Sequence, residues 1–153
     1  MSRGTERLQI PARPLVATQS FGPRLPAARV AAELARGLLA GGLPAAEVCP
    51  ICQEELRPGE IRSLLDSMDF DRRMRRARAV IIAASRLAER DLEGSAAFEI
   101  ATRARQAGVP AYAVTAEDRL GRFDARILDL QAIVVASSAR ALAGAGRRLA
   151  RLI

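Results

Sequence analysis

Short apolar runs alternate along this chain with segments of helical periodicity, and this alternation constrains the fold more than any other feature. The strongest run, residues 79–83, is continuously apolar, as in strands that are buried on both faces of a parallel sheet. Weaker runs predict four further strands. They lie at residues 15–18, 47–51, 111–115 and 131–136.

Helical patterns fill the intervals between these runs. In residues 27–40 the side chains of Val30, Leu34 and Leu38 recur at i, i+4 spacing, and two glycines follow. The last helix should begin after Ser137 and Ser138 and bury Leu142, Ala145, Leu149 and Leu152. The remaining predicted helices are shorter or weaker. They lie at residues 61–67, 96–106 and within 117–128.

Strands and helices that alternate with short connections predict an α/β fold, a three-layer αβα sandwich that is Rossmann-like with a mostly parallel sheet. Residues 1–14 should be irregular, and residues 15–153 should form one domain. In such sheets ligands bind beyond the carboxyl ends of the strands. Those ends are the loops at residues 19–25, 51–55, 84–94, 116–121 and 137–138.

The basic residues restrict the available chemistry, because all 24 are arginine and the chain has no lysine and no histidine. No unperturbed side chain therefore titrates near pH 7 as a general base, and arginine can bind an anion but scarcely accepts a proton. An enzymatic reaction would rest on Asp, Glu, Cys, Ser or a metal. Codon usage that favours arginine is the simpler explanation of the excess.

The formal net charge of +7 favours anionic partners, although 17 acidic residues are interleaved with the arginines. Aromatic residues make up only 3% of the chain, which disfavours nucleic acid as a partner because bases have few rings to stack on. No apolar run has the roughly 18 residues of a membrane helix. The N-terminus lacks an apolar signal core, so we expect a cytoplasmic protein without a membrane partner.

Two blocks of the sequence resemble the bacterial glycerate kinases. Residues 16–27, VATQSFGPRLPA, are similar to the family's VAPDSFKGSLSA, and the helical pattern to Leu38 follows. Residues 80–96, VIIAASRLAERDLEGSA, are similar to the family's VITGEGRLDxQTLxGKA, and the similarity continues through residues 108–110. The resemblance implies ATP-dependent phosphorylation of glycerate, with ATP and Mg²⁺ as cofactors if that activity is retained.

The family's second domain would be inserted between residue 51 and Val80. Here the interval holds only an arginine-rich connector at residues 56–78. The resemblance therefore implies the family's discontinuous Rossmann-like domain alone.

The chain departs from the family where its charged groups lie. Gln19 replaces an acidic residue, Ala88 replaces an aspartate, and Gly22 and Ser95 replace lysines. Codon pressure would have supplied arginine at the two lysine positions, so we interpret these changes as loss of function. Further changes are Pro23 for a glycine, residues 52–56 for ADGGEGT, and residues 83–85 for GEG, whereas the family residues Ser20, Phe21, Leu25, Arg86, Leu87, Leu92 and Gly94 remain.

These departures predict a degenerate domain, a pseudo-kinase that acts as a binding, regulatory or partner subunit, with no catalytic residues assigned. Retained kinase activity, with or without a partner chain, is the alternative. The candidate ligand is a small anionic metabolite or a nucleotide, and a complementary subunit or a second copy is the candidate protein partner. Candidate anion-binding residues are Ser20, Arg24, Arg86, Gly94, Ser95, Ser137 and Ser138. The simpler interpretation makes Ser138 a helix cap and Arg86 a surface residue.

Two further features allow more than one interpretation. Cys49 and Cys52 form a C-x-x-C motif that is weak as a metal site, because zinc would need ligands such as Glu54 and Glu55, and weak as a redox pair. Both are otherwise core or loop cysteines. The arginines of residues 72–78 are either a solvated helix surface or a docking module for nucleic acid or an acidic partner.

Overall fold

Within residues 12–52, 56–89 and 94–153, which this computed structural model describes, five strands form one sheet in the order β2-β1-β3-β4-β5. Every neighbouring pair is parallel. The strands are β1 (Leu15–Thr18), β2 (Glu47–Pro50), β3 (Val80–Ala88), β4 (Ala111–Arg119) and β5 (Leu130–Val135).

Helices connect successive strands, and a last helix follows β5. They are α1 (Ala27–Ala40), α2 (Pro58–Ser67), α3 (Phe70–Arg75), α4 (Ala96–Ala107), α5 (Arg122–Ile127) and α6 (Ala139–Ala150). The predicted bounds of β1 and α1 agree with the structure. No helix of the described residues is long and apolar enough to cross a membrane.

Alternate residues of the strands lie on opposite faces of the sheet, where they are buried in two separate cores. Leu15 and Val80 face a core that also contains residues of α2, α3 and α4, whereas Val16 and Ile81 face a core built with α1 and α6. Helices therefore cover both faces, and the predicted three-layer, Rossmann-like α/β fold is confirmed. In this strand order the connections diverge between β1 and β3, and the carboxyl ends of those two strands flank the crevice where such folds bind ligands.

The central strands are longer than the sequence predicts. Residues 84–88 and 116–119, predicted as loops, continue β3 and β4 as a parallel pair whose register reaches Ala88 opposite Arg119. The apolar run ends earlier because the extension exposes Ser85 and Arg86. Leu87 anchors the extension, since it is buried beside α4.

The arginine-rich connector is an ordered crossover from β2 to β3. Within it, α3 buries Phe70 and Met74, which are spaced i, i+4, and leaves most of its arginines outside. The sequence did not predict this helix, because only two apolar positions stand within a run of arginines. The last predicted helix is correct except at Leu152, which lies beyond α6 and is 56% exposed.

Helices α1 and α6 touch backbone to backbone. A Cβ atom on Gly146 would lie 2.5 Å from the Leu34 carbonyl oxygen and 2.9 Å from the Gly37 Cα. A Cβ on Gly37 would in turn overlap the Ala143 carbonyl oxygen. Glycine at both positions therefore sets how closely these helices approach, since any side chain would separate them.

Arg103 joins three helices on the other face. From α4 it forms ion pairs with Asp66 of α2 at 2.9 Å, Asp71 of α3 at 3.1 Å and Glu99 of its own helix at 3.1 Å. Its side chain is only 11% exposed, and it also donates to the Arg62 carbonyl oxygen. A planar guanidinium suits this task because it offers five donors in fixed directions.

Candidate functional site

The crevice between the carboxyl ends of β1 and β3 contains a small cleft, which we call the switch-point cleft. Its volume is about 30 Å³, room for a water molecule or two but not for a nucleotide. It is lined by Gln19, Ala84, Arg86, Leu87, Ala88, Ser95 and Ala97. The structure therefore brings together two of the predicted site residues, Arg86 and Ser95, beside Gln19.

The loop after β1 is closed by its own hydrogen bonds. The Ser20 hydroxyl donates to the Gly22 carbonyl oxygen at 3.0 Å and accepts from the Gly22 amide at 3.1 Å. The Phe21 amide donates to the Leu25 carbonyl oxygen at 2.8 Å. Gly22 has a φ of 111°, where a side chain is strained, so this loop disfavours any residue other than glycine at that position.

The other hydroxyls at this edge also bind backbone. Ser95 and Ser138 are the N-caps of α4 and α6, where they accept from the Phe98 amide at 3.0 Å and the Ala141 amide at 3.1 Å. Ser138 is thus a helix cap, as the simpler interpretation expected. Thr18, at the end of β1, donates to the Ala27 carbonyl oxygen at 2.7 Å, and Thr115, within β4, donates to the Glu117 carbonyl oxygen at 3.1 Å.

The β3–β4 extension carries a charged rim beside the cleft. Arg86 lies in β3 rather than in a loop, opposite Glu117 of β4, and Glu117 forms an ion pair with Arg119. A depression of about 280 Å³ is lined by Arg86, Ala88, Glu89 and Arg119. Glu117 and Arg119 could not be predicted as site residues from the sequence. They lie beside Arg86 and Ala88 only because β4 extends in register with β3.

The remaining predicted residues lie apart from the cleft. Arg24 is exposed in the loop after β1, and neither it nor Ser20 lines the cleft. Gly94 shares a depression of about 190 Å³ with Ser95 and α2. Ser137 and Ser138 follow β5, three strands from β1, which at about 4.8 Å per strand places them about 14 Å away. The predicted residues therefore do not form one site.

The described residues contain no preformed cluster of metal ligands. Magnesium in phosphoryl-transfer sites is held by carboxylates and substrate phosphates, yet the described part of the chain has no group of three or more Asp, Glu, Cys or His side chains that could hold a metal ion. The Asp118 carboxylate instead accepts from the Leu120 amide at 3.0 Å. Glu54, Glu55 and Leu92, named in the sequence analysis, lie outside the described residues.

The two cysteines differ in environment. Cys49 is buried at the end of β2, whereas Cys52 is exposed. Burial raises the pKa of the Cys49 thiol, an effect that the neighbouring Arg73 guanidinium only partly offsets. Since the thiolate is the reactive form, Cys49 is protected twice, by burial and by protonation.

We expect one fast-reacting thiol in the folded protein. Iodoacetamide followed by mass spectrometry should find Cys52 alkylated first and Cys49 only after unfolding, and a Cys52→Ser variant should show no fast reaction. Because the pKa of Cys49 is raised from its ordinary value of 9.0, burial of the neutral thiol stabilises the folded protein fully below pH 9.0. This stabilisation is lost as the pH rises through the pKa of Cys49 in the folded protein. Equal alkylation of both cysteines in the native state would contradict the buried position of Cys49.

Comparisons with known proteins agree with this geometry. Among solved structures, the chain is similar to a putative pilus assembly-related protein from Burkholderia pseudomallei, with a TM-score of 0.50 and 19% identity over 92% of this chain and 90% of that one. At this identity the likeness concerns the fold alone. No curated protein sequence matches significantly. The model of the glycerate kinase family matches residues 39–151, which include the second resembling block and begin just after the first. That match spans most of the chain, which therefore belongs to the glycerate kinase family.

Proposed function

We propose that this glycerate kinase family domain binds a small acidic ligand or a partner subunit at the carboxyl-end edge of the sheet and does not itself catalyse phosphoryl transfer. The observation that carries the proposal is that hydroxyl groups at this edge of the sheet already bind the protein's own backbone. Five hydroxyls there already form hydrogen bonds with backbone groups. They are Thr18, Ser20, Ser95, Thr115 and Ser138.

The charge distribution supports the same proposal. Phosphoryl transfer depends on cations and metal-held carboxylates around the phosphates, and each such group commonly contributes about 2 to 4 kcal/mol to transition-state stabilisation. Gly22 and Ser95 stand at the family's lysine positions, and both have structural roles here: one supplies a positive φ and the other caps α4. A lysine at position 95 would remove that cap.

Binding, by contrast, needs only a complementary surface. Arg86 and Arg119 border the same depression together with Glu89, and Glu117 forms an ion pair with Arg119. The depression is near the lower limit of small-ligand sites, about 300 Å³. A phosphorylated three-carbon acid fits this size better than ATP does.

Purified protein with ATP, Mg²⁺ and glycerate should release no ADP above a blank without protein. An active two-domain glycerate kinase in the same coupled assay is the positive control. Turnover of even about one per minute, far below the roughly 10 per second of an ordinary enzyme, would overturn the proposal for the isolated chain.

Binding provides the second readout. Differential scanning fluorimetry should show stabilisation by phosphoglycerate that Arg119→Gln weakens, while the exposed Arg126→Gln on α5 serves as the matched control. Stabilisation by ATP alone would favour the retained-kinase alternative. If no acid or nucleotide shifts the melting temperature, the ligand-binding half of the proposal is wrong and a partner subunit remains.

A further inference from the structure

A depression lies at the opposite edge of the sheet, near the amino-terminal ends of β1 and β2. Its volume is about 560 Å³, within the range of about 300–1,000 Å³ for small-molecule sites. We call it the arginine basin. It is lined by Ala12, Arg13, Glu47, Asp69, Arg72, Arg73, Arg76 and Ala77.

We propose that the arginine basin is a binding site for a compact oligophosphate anion. Its four arginines converge from the segment before β1, from α3 and from the turn after α3, and they outnumber the two carboxylates in the lining. This inference does not depend on the proposed function, because it concerns other residues at the other edge of the sheet.

The two carboxylates in the lining offset two of the four arginine charges. Glu47 is engaged by Arg73 at 2.7 Å, and Asp69 lies 3.8 Å from Arg72, a long ion pair between two well-exposed side chains. Among the described residues, Arg13 and Arg76 have no carboxylate within ion-pair distance. Guanidinium groups bind phosphate in bidentate geometry, so several such groups around one depression suit a multivalent phosphate.

The walls of the basin are held in place before any ligand binds. The Arg78 amide donates to the Arg13 carbonyl oxygen at 3.0 Å, and the Glu47 amide donates to the Pro14 carbonyl oxygen at 2.9 Å. Arg73 also donates to the Val48 carbonyl oxygen at 3.0 Å, which ties α3 to β2. A site whose backbone is already ordered loses less entropy on binding.

The lining also decides between a bare oligophosphate and a nucleic acid. Its apolar members are two alanines, and no aromatic ring is present among the described lining residues. Base stacking on aromatic side chains contributes much of single-strand binding, and this basin offers no such platform. The ligand should therefore be recognised through its phosphates alone.

Isothermal titration calorimetry at low ionic strength is the test. Tripolyphosphate should bind with one site and a Kd of about 100 µM or tighter, pyrophosphate more weakly, and orthophosphate weakest. Arg72→Gln combined with Arg76→Gln should weaken tripolyphosphate binding at least about tenfold. The matched control removes two exposed arginines elsewhere, Arg29→Gln with Arg140→Gln, and should change Kd less than about twofold.

Three results would overturn the inference: no heat of binding with tripolyphosphate, an equal loss in both double variants, or tighter binding of an oligothymidylate than of tripolyphosphate. The second result would mean diffuse attraction to net charge, and the third a nucleic-acid surface. Unchanged melting temperatures of both double variants exclude misfolding as the cause. Arg119→Gln should leave tripolyphosphate binding intact, which distinguishes the arginine basin from the proposed ligand site at the carboxyl-end edge of the sheet.

Discussion

Gly146→Val should strongly destabilise the protein, lowering the free energy of unfolding by about 3 kcal/mol or more. The added Cβ would meet three backbone atoms, the Leu34 carbonyl oxygen at 2.5 Å and the Gly37 Cα and Leu38 amide nitrogen at 2.9 Å each. Backbone of a packed helix cannot rotate away as a side chain can, so α1 and α6 must separate. Urea denaturation followed by circular dichroism measures the loss.

Gly144→Ala is the matched control for this prediction. Gly144 lies in the same helix, but a Cβ there would meet only the end of the Arg147 side chain at an ordinary 3.8 Å. Replacing a helical glycine with alanine then stabilises the protein by about 0.5–1 kcal/mol. The two variants should therefore change stability in opposite directions. Tolerance of Gly146→Val with an unchanged midpoint would mean that α1 and α6 do not touch as described.

Arg103→Met should lower the free energy of unfolding by about 2 kcal/mol, because it leaves three carboxylates near one another without their shared cation. The loss is moderated because Asp66 is 68% exposed and water can screen it. Arg103→Lys should recover only part of the stability, since a lysine ammonium cannot reach these partners with fixed planar geometry. Replacing the exposed Arg140 of α6 with methionine should cost less than about 0.5 kcal/mol.

A double-mutant cycle distinguishes the ion-pair network from simple packing. Asp71→Asn should destabilise the wild-type protein, because it removes a partner of Arg103 at 3.1 Å. In the Arg103→Met background the same change should stabilise, because it removes one of the clustered negative charges. A coupling energy of about 1 kcal/mol or more is expected, and additivity of the two changes would refute the network.

The layer architecture could be predicted from the sequence because its signals are local. An apolar run such as the one that begins β3, and the i, i+4 spacing in α1, reflect burial that depends on each element alone. The strand extension could not be predicted, since exposed Ser85 and Arg86 interrupt the apolar pattern and only pairing with β4 makes them a strand. Pairing between two strands does not produce a periodic pattern in the sequence of either strand.

Only part of the candidate site could be predicted, because only part of it depends on local sequence signals. Ser95 could be predicted because it lies where helix α4 begins, in a segment that follows a predicted strand. Arg119 and the arginine basin required the tertiary fold, because Arg13 joins Arg72 and Arg76 only through parallel pairing of distant segments. The Arg103 network likewise connects residues 32 and 37 positions apart. One missed signal was available: Phe70 and Met74 at helical spacing indicated α3.

The glycine contact between α1 and α6 also bears on how the chain acquires its structure during synthesis. Gly37 and Gly146 are separated by most of the sequence, so α1 emerges from the ribosome long before the helix that covers it. Until then the apolar side of α1 can contact only nascent strands or a chaperone, and closing so long a loop is slow. A circular permutant in which α6 precedes β1 would bring the two helices close in sequence and should fold faster.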